Sequence, residues 1–373
     1  MVVWRSIPAN RIEVRSMRRF YPLARCAGKR VAALSAVLVA DNFSTVADAE
    51  ILIAGAGAIG SVVGAMLHAA GHRVTLFGRR GHMEAIACDG LRITGLLGSH
   101  TIRGMNLAHQ PSQLDGRFDL ILCTVKPYDT AAISDDLAGR LSERGVIVSL
   151  QNGLGNIEAL ARRFGLERVL GGRVIFGSEL QRPGAAHVTV FADPVAIGPA
   201  PVLHGGLSGV LAVRAAEVAR LIDRAGVAAV ACSDIMPVIW SKLLYNVALN
   251  ALGALYELSY GELASDPDLR AIMDEAIGEA FAVARKLEVA LPFASESEYR
   301  HTFYGKLVPA TETHRPTMLY DLKNRGRTDI DSLNGKIVEL ALQNGLKAPV
   351  NQMLVRQVHA ARRAARPRRD ESR

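Results

Sequence analysis

Residues 51–77 leave few folds open. Ile51 to Ala54 form a short apolar run and Gly55-Ala56-Gly57-Ala58-Ile59-Gly60 follow at once. Ser61 to Ala70 then carry a helical pattern, and Arg73 to Phe77 form a second apolar run. Strand, glycine turn, helix and strand in that order make a dinucleotide-binding unit. Gly55 permits the tight turn, Gly57 keeps side-chain bulk away from a pyrophosphate, and Gly60 lets the helix pack closely on the strand. The helix start at Ala58 and Ile59 offers free N–H groups and a positive dipole end to phosphates. Gly71 falls where a helix would end.

The end of the second strand bears on which dinucleotide is bound. An NAD site calls for Asp or Glu about 20 residues after the first glycine, to hold the ribose 2′-hydroxyl. Here the segment reads Leu76-Phe77-Gly78-Arg79-Arg80 and contains no acid. A guanidinium suits a 2′-phosphate by charge and fork geometry, so NADPH is expected, with Arg79 as its contact and Arg80 a solvated neighbour.

The alternation continues. Phe118 to Val125 is a near-continuous apolar run, as a central parallel strand requires, and it ends at Lys126-Pro127. Gly145 to Leu150 is another strand, ending at Gln151-Asn152-Gly153. Ligands of open α/β sheets sit beyond the C-terminal strand ends, and Lys126 and Asn152 occupy two of them. Residues 169–198 carry shorter strand-like runs and read as an antiparallel addition. A helix over 209–225 and a short strand over 227–231 follow. From Asp234 the pattern is almost wholly helical, which places a domain boundary near 232–234.

The helix from Ile239 to Asn250 stands out in that helical region. Lys242, Asn246 and Asn250 lie at i, i+4 and i+8 and share one face, while most of the circumference is apolar. Such a helix is mostly buried, and its polar line must face water, partners or a ligand. A cleft wall offering one ammonium and two amides to a polar small molecule is the functional reading. Burial lowers a lysine's pKa and makes it a usable proton donor near neutrality. Nearer the C-terminus, in Arg327-Thr328-Asp329-Ile330-Asp331, Thr328 reads as a helix N-cap with Asp331 as its partner. Asp329 either sits in the first helical turn or faces the cleft and pairs with Lys242.

Charge and cysteine usage exclude other classes. The chain of 373 residues carries a formal +8, but residues 1–48 and 356–373 each hold a net +5, so the body is slightly acidic. A nucleic-acid docking face on the body is not expected. The four cysteines show no metal-ligand or disulfide spacing, and Cys123, inside an apolar run, reads as core. Residues 1–49 form a separable extension. Its arginines, an apolar run over Val31 to Ala40 and Ala47-Asp48-Ala49 resemble a signal peptide, and an organellar transit peptide or a later start at Met17 are alternatives. A cytoplasmic protein with a dispensable extension is favoured. No apolar run reaches about 18 residues free of charge, so no membrane-spanning helix is expected.

Together the GAGAIG turn, TVKPYD, LQNGLGNIE, WSKLLYNVALN, PTMLYDL and RTDIDSLNG resemble the 2-dehydropantoate 2-reductase (ketopantoate reductase) family over about 50–355. The resemblance implies an N-terminal Rossmann-type α/β domain (50–232), an all-α C-terminal domain (233–355) and a basic tail (356–373). It implies NADPH-dependent reduction of 2-dehydropantoate to (R)-pantoate, on the route to pantothenate and coenzyme A. The partner is then a small 2-oxo acid, with no nucleic acid, membrane or metal, and the protein is a monomer or homodimer. Gly55, Gly57, Ala58, Ile59, Gly60, Arg79 and Lys126 fall at cofactor positions, and Asn152 lies near both nicotinamide and substrate. Lys242 matches the catalytic lysine, Asn246 and Asn250 match substrate-binding asparagines, and Thr317 stands where a serine commonly meets the substrate carboxylate. The motif usually reads T-E-I-D; here Asp329 replaces the active-site glutamate and reaches about one C–C bond less, which bears on the choice of substrate. A reductase of another branched 2-oxo acid, a non-catalytic NADP-binding regulator and an opine-type dehydrogenase are the alternatives.

Overall fold

The computed structural model describes residues 49–324 and 326–364. The targeting readings of the N-terminal extension, and the second half of the basic tail, lie outside them. The N-terminal region is built on one ten-stranded sheet. β1 (Glu50–Ala54) lies third from one edge, between β2 (Arg73–Phe77) and β6 (Phe118–Cys123), with β5 (Asn106–Ala108) beyond β2 and β7 (Leu141–Ser149) beyond β6. All these neighbours pair in parallel, and β8 (Val169–Arg182) joins β7 in parallel as well. The order β5-β2-β1-β6-β7-β8 is that of a doubly wound dinucleotide fold. A strand buried on both faces cannot alternate polar with apolar, and β1 has four consecutive buried residues from Ile51 to Ala54.

β8 and β9 (Ala185–Gly198) form the long antiparallel hairpin expected over 169–198. β9 also pairs in parallel with β3 (Leu91–Gly95) and with β10 (Ala229–Ala231), and β3 carries β4 (His100–Ile102) at the sheet edge. β3, β4 and β5 are short and flanked by polar loops, so their apolar runs are too brief to read as strands.

Helix α1 (Ala58–Ala69) starts directly after the glycine turn. Gly55 has φ +109°, a conformation that favours glycine, and a Cβ there would lie 2.5 Å from the Val125 amide nitrogen. A Cβ on Gly60 would lie 2.5 Å from the Gly55 carbonyl oxygen and 2.6 Å from Thr124 Oγ1. At Gly57 the nearest atom would be 4.0 Å away, so that glycine faces open space. The turn is fixed by Gly55 and Ala56 N–H groups donating to Phe77 O at 2.9 and 2.8 Å. α2 (Arg80–Asp89), α3 (Thr130–Asp136), α4 (Asn156–Phe164) and α5 (Ser208–Arg224) complete this region.

The change from sheet to helix falls between Ala231 and Met236. α6 (Met236–Tyr256) is the central helix of the C-terminal region and buries Trp240, Leu243, Leu244, Val247 and Leu249. It has Pro237 in its first turn, where the missing N–H costs nothing, and Glu257 in the left-handed conformation at its end. α7 (Tyr260–Ser265), α8 (Pro267–Lys286), α9 (Glu296–Thr302), α10 (Thr317–Asn324), α11 (Asn334–Gln343) and α12 (Pro349–Ala364) surround it. Gly253 admits Pro316, whose Cδ would lie 2.8 Å from a Cβ there. Two helical stretches, Pro201–Arg224 and Met236–Tyr256, are long and apolar enough to cross a membrane by length and composition, though neither is free of charge over 18 residues: Arg214 and Glu217 interrupt the first and Lys242 the second. The second owes its apolarity to burial in the protein's own core.

The two glycines predict different responses to added bulk. Gly60→Val should cost on the order of 1–3 kcal/mol, because a backbone carbonyl and Ile53 cannot yield. Gly57→Ala should leave the urea midpoint near the wild-type value. Equal midpoints for the two variants would contradict the close packing of α1 on β1.

Candidate active site

The loop after β7 and the first half of β8 face the first half of α6. Lys242 projects from α6, and its Nζ donates to Asn152 Oδ1 and to Val174 O, both at 2.6 Å. Asn152 follows β7 and Val174 lies in β8, so the ammonium of the helical region is held by the sheet region. Gln151, Asn152, Gly153, Arg173, Lys242 and Asn246 line one small cleft there. Burial first, and the nearby Arg173 guanidinium second, bring the Lys242 pKa down to about 7, against an opposing pull from Asp329.

Asn152 is held from behind. Its carbonyl accepts from Asn156 Nδ2 at 2.9 Å. Buried Gln151 donates to Val125 O at 3.0 Å and to Thr130 Oγ1 at 2.7 Å. Gly153 has φ +81° and Leu154 N donates to Ser332 O at 3.1 Å. These bonds tie the loop after β7 to the loop after β6 and to the turn before α11.

Lys126 also crosses between the two regions. Its ammonium pairs with Asp321 of α10 and with Asp329, 3.1 Å from Asp329 Oδ1. Asp321 is fully buried and Asp329 nearly so. Burial disfavours the Lys126 charge, but the carboxylates of Asp329 and Asp321 outweigh it and hold its pKa above the usual lysine value. Beside it, Arg327 lies over the Tyr128 ring, 4.1 Å from its centroid, and reaches Asp129 at 3.5 Å.

The residues expected at the site are therefore only partly gathered. Lys242, Asn152 and Asn246 share the cleft. Asn250, two turns along α6 from Lys242, accepts from the Tyr260 hydroxyl at 3.0 Å. Thr317 is exposed in the first turn of α10. Asp329 hydrogen-bonds to Lys126 and not to Lys242, the partner in one of its two sequence readings; its short side chain ends on the cation that also neutralises Asp321. Asp331 makes no capping box with Thr328 and instead lies 3.0 Å from His359 Nε2. Cys123 is core, its thiol pushed up to about 12 by burial.

Three contributors are not apparent from the sequence alone. Arg173 is a lone charge in the apolar first half of β8, and such a charge needs a partner. Asp193 is the only acid in β9, and antiparallel pairing brings it to 2.6 Å from Arg173. Asp321, inside PTMLYDL, is an acid on a helix whose neighbours Met318 and Leu322 are buried.

On the cofactor side, the start of α1 carries no acid in its first turn, and Gly57 leaves its face open. Arg79 is exposed at the end of β2, just before α2, and no ion pair joins it to a described residue. Arg80 is engaged with Glu84 at 2.7 Å on its own helix. These residues fit a dinucleotide with its phosphates on the glycine turn.

A doubly wound dinucleotide sheet facing a lysine from a helical domain is the layout of a nicotinamide-dependent oxidoreductase. The chain matches the family model described as ketopantoate reductase PanE/ApbA over residues 51–201, and the model of that family's C-terminal domain over 234–362. The chain belongs to the ketopantoate reductase family. It is 35% identical over 312 residues to the 2-dehydropantoate 2-reductase of Aquifex aeolicus, covering 83% of this chain and 96% of the relative. The 2-dehydropantoate 2-reductase of Archaeoglobus fulgidus is 33% identical over 306 residues, 82% of this chain and 95% of the relative. The crystal structure of a PanE/ApbA family ketopantoate reductase from Ralstonia eutropha JMP134 superposes with a TM-score of 0.74 at 30% identity, covering 85% of this chain and 99% of that one. D-Mandelate dehydrogenase, solved with NADH and anilino(oxo)acetate, shares the fold at a TM-score of 0.75 and 23% identity, covering 85% and 99% of the two chains.

The Lys126 bridge gives a stability prediction. Lys126→Met leaves two buried carboxylates without their cation and should cost about 3–5 kcal/mol in chemical denaturation. Adding Asp321→Asn should recover some of that loss. Additive losses in the double variant would show that the two groups act independently.

Proposed function

We propose that this protein catalyses the reduction of 2-dehydropantoate to (R)-pantoate with NADPH, and that Lys242 is the proton donor. The observation that carries this reading is the Lys242 ammonium, held in the cleft between the two regions with its pKa brought down to about 7. Bound NADPH supplies hydride to the C2 carbonyl carbon. As that carbon is reduced, negative charge grows on its oxygen, and Lys242 Nζ stabilises the charge by hydrogen bonding and then transfers its proton there. Asn152 and Val174 O hold Lys242 before the substrate arrives, so little reorganisation is needed at the moment of reaction. Asn246, one turn along α6, is placed to bond a substrate hydroxyl or carboxylate. Asn250 and Thr317 belong to the same role further out, and Asn250 must exchange its Tyr260 partner to take it.

Arg79 supports NADPH over NADH, since an unneutralised guanidinium at the end of β2 favours a 2′-phosphate. Ala58, Ile59 and the three glycines hold the pyrophosphate. Lys126 and Asp329 act here as a pair: Lys126 secures the helical region against the loop beside the cofactor turn, and Asp329 stays close enough to Lys242 to favour its charged form.

One observation favours a second reading, reduction of another branched 2-oxo acid. Asp329 is shorter than the family's glutamate and hydrogen-bonds to Lys126. A panel of 2-oxo acids followed by NADPH absorbance separates the readings: 2-dehydropantoate should give the highest kcat/KM, and a bulkier acid exceeding it tenfold would establish the alternative.

Three results should follow. Lys242→Ala should lower kcat by two or more orders of magnitude, about the contribution of a positioned general acid, with NADPH affinity near normal. Because the donor must be protonated, kcat/KM for reduction should fall as pH rises through about 7, while the reverse oxidation should rise over the same range. Arg79→Gln should raise the Kd for NADPH at least tenfold and leave that for NADH almost unchanged. Equal losses for both cofactors would place the 2′-phosphate elsewhere.

A further inference from the structure

Lys242 is not the only buried cation at the cleft. Arg173 lines the same cleft and is 3% exposed, and its Nη2 donates to Asp193 Oδ2 at 2.6 Å and to Pro194 O at 3.2 Å. It precedes Val174, whose carbonyl accepts from Lys242 Nζ, so one short stretch of β8 gives Lys242 both an acceptor and a repelling charge. We propose that the Arg173–Asp193 pair is a positioning device that sets how readily Lys242 gives up its proton, and hence the pH at which reduction stops. The inference rests on Lys242 being the proton donor of the proposed reaction.

The effect is electrostatic. Among the described residues, two charged groups from the surrounding elements act on Lys242: Arg173 from β8, which disfavours its ammonium, and Asp329 from the turn before α11, which favours it. Each has its own counter-ion. Asp193 holds Arg173 in place, and Lys126, itself bridged to Asp321, draws on Asp329. The remaining polar contacts of the ammonium, Asn152 Oδ1 and Val174 O, are neutral. A buried ion pair is often replaceable by apolar residues without loss of stability, so burial alone does not explain why a guanidinium stands here. With an apolar pair in its place, Lys242 would keep only the pull of Asp329 and would be a weaker acid near neutrality. Asp193 is then the anchor: it fixes the guanidinium while both sit in a medium that screens poorly.

The test uses the full chain and two readouts, only one of which depends on turnover. The first is the pH dependence of Lys242 labelling by trinitrobenzenesulfonate in the absence of cofactor, read by peptide mass. The second is the falling limb of kcat/KM for NADPH-dependent reduction of 2-dehydropantoate. Arg173→Met should move both midpoints upward by about one pH unit, the size of shift a close charge produces. Arg173→Lys should return them toward wild type. If Arg173→Met fails to fold because Asp193 is left unpaired, Arg173→Met/Asp193→Asn removes both charges and should show the same upward movement. A labelling midpoint unchanged in either folded variant overturns the inference. A midpoint that moves while the rate limb stays put upholds the effect on Lys242 but overturns the link to the pH at which reduction stops, and removes Lys242 from the role of proton donor.

Discussion

A lysine that leaves one domain and is held by another makes the cleft what it is. Lys242 grows from a helix that is apolar around most of its surface, and its ammonium is received by an asparagine side chain and a backbone carbonyl of the sheet region. Neither acceptor carries charge. The ammonium therefore loses much of its hydration without gaining a full counter-ion, which is the condition under which a lysine titrates near neutrality. Everything else at the site holds that arrangement: Gln151 and Asn156 fix the Asn152 loop, and Gly153 allows that loop to reach the turn before α11.

Lys126 shows the opposite solution to the same problem. It too is largely buried and crosses between the regions, but two carboxylates surround it and keep it charged. Two lysines facing each other's domains thus divide the work. One is compensated and serves as a fastening, and the other is left under-compensated and is the acid of the proposed reaction. The difference comes from neighbouring charge rather than residue type, a pattern by which perturbed groups mark functional sites.

Much of this is legible in the sequence. The glycine turn, the central strands β1, β2 and β6, the 169–198 hairpin and the sheet-to-helix change all follow from apolar periodicity and turn chemistry. The position of Lys242, Asn246 and Asn152 in the cleft follows from a narrow polar line on an apolar helix and from a strand end. The edge strands β3 to β5 do not, because three- to five-residue strands between polar loops carry too little periodicity to separate them from loop. The ion pairs are also hidden. Arg173 and Asp193 are 20 residues apart and meet only through the bulged register of β8 on β9. Lys126 and Asp321 are 195 apart and meet only when the two regions close on each other. The sequence puts Asp329 near the cleft, but which lysine it chooses depends on that closure. Pairing across such distances is a property of the assembled fold, and a single sequence read without its relatives does not carry it.

The most direct measurement is a crystal structure of the protein with NADP+ and (R)-pantoate bound together. Lys242 Nζ should lie within hydrogen-bond reach of the 2-hydroxyl oxygen, about 2.6–3.2 Å, with the nicotinamide on the far side of that carbon and the phosphates on Gly57. A product hydroxyl directed at a different donor, with Lys242 still bound only to Asn152 and Val174, would contradict its role as the acid.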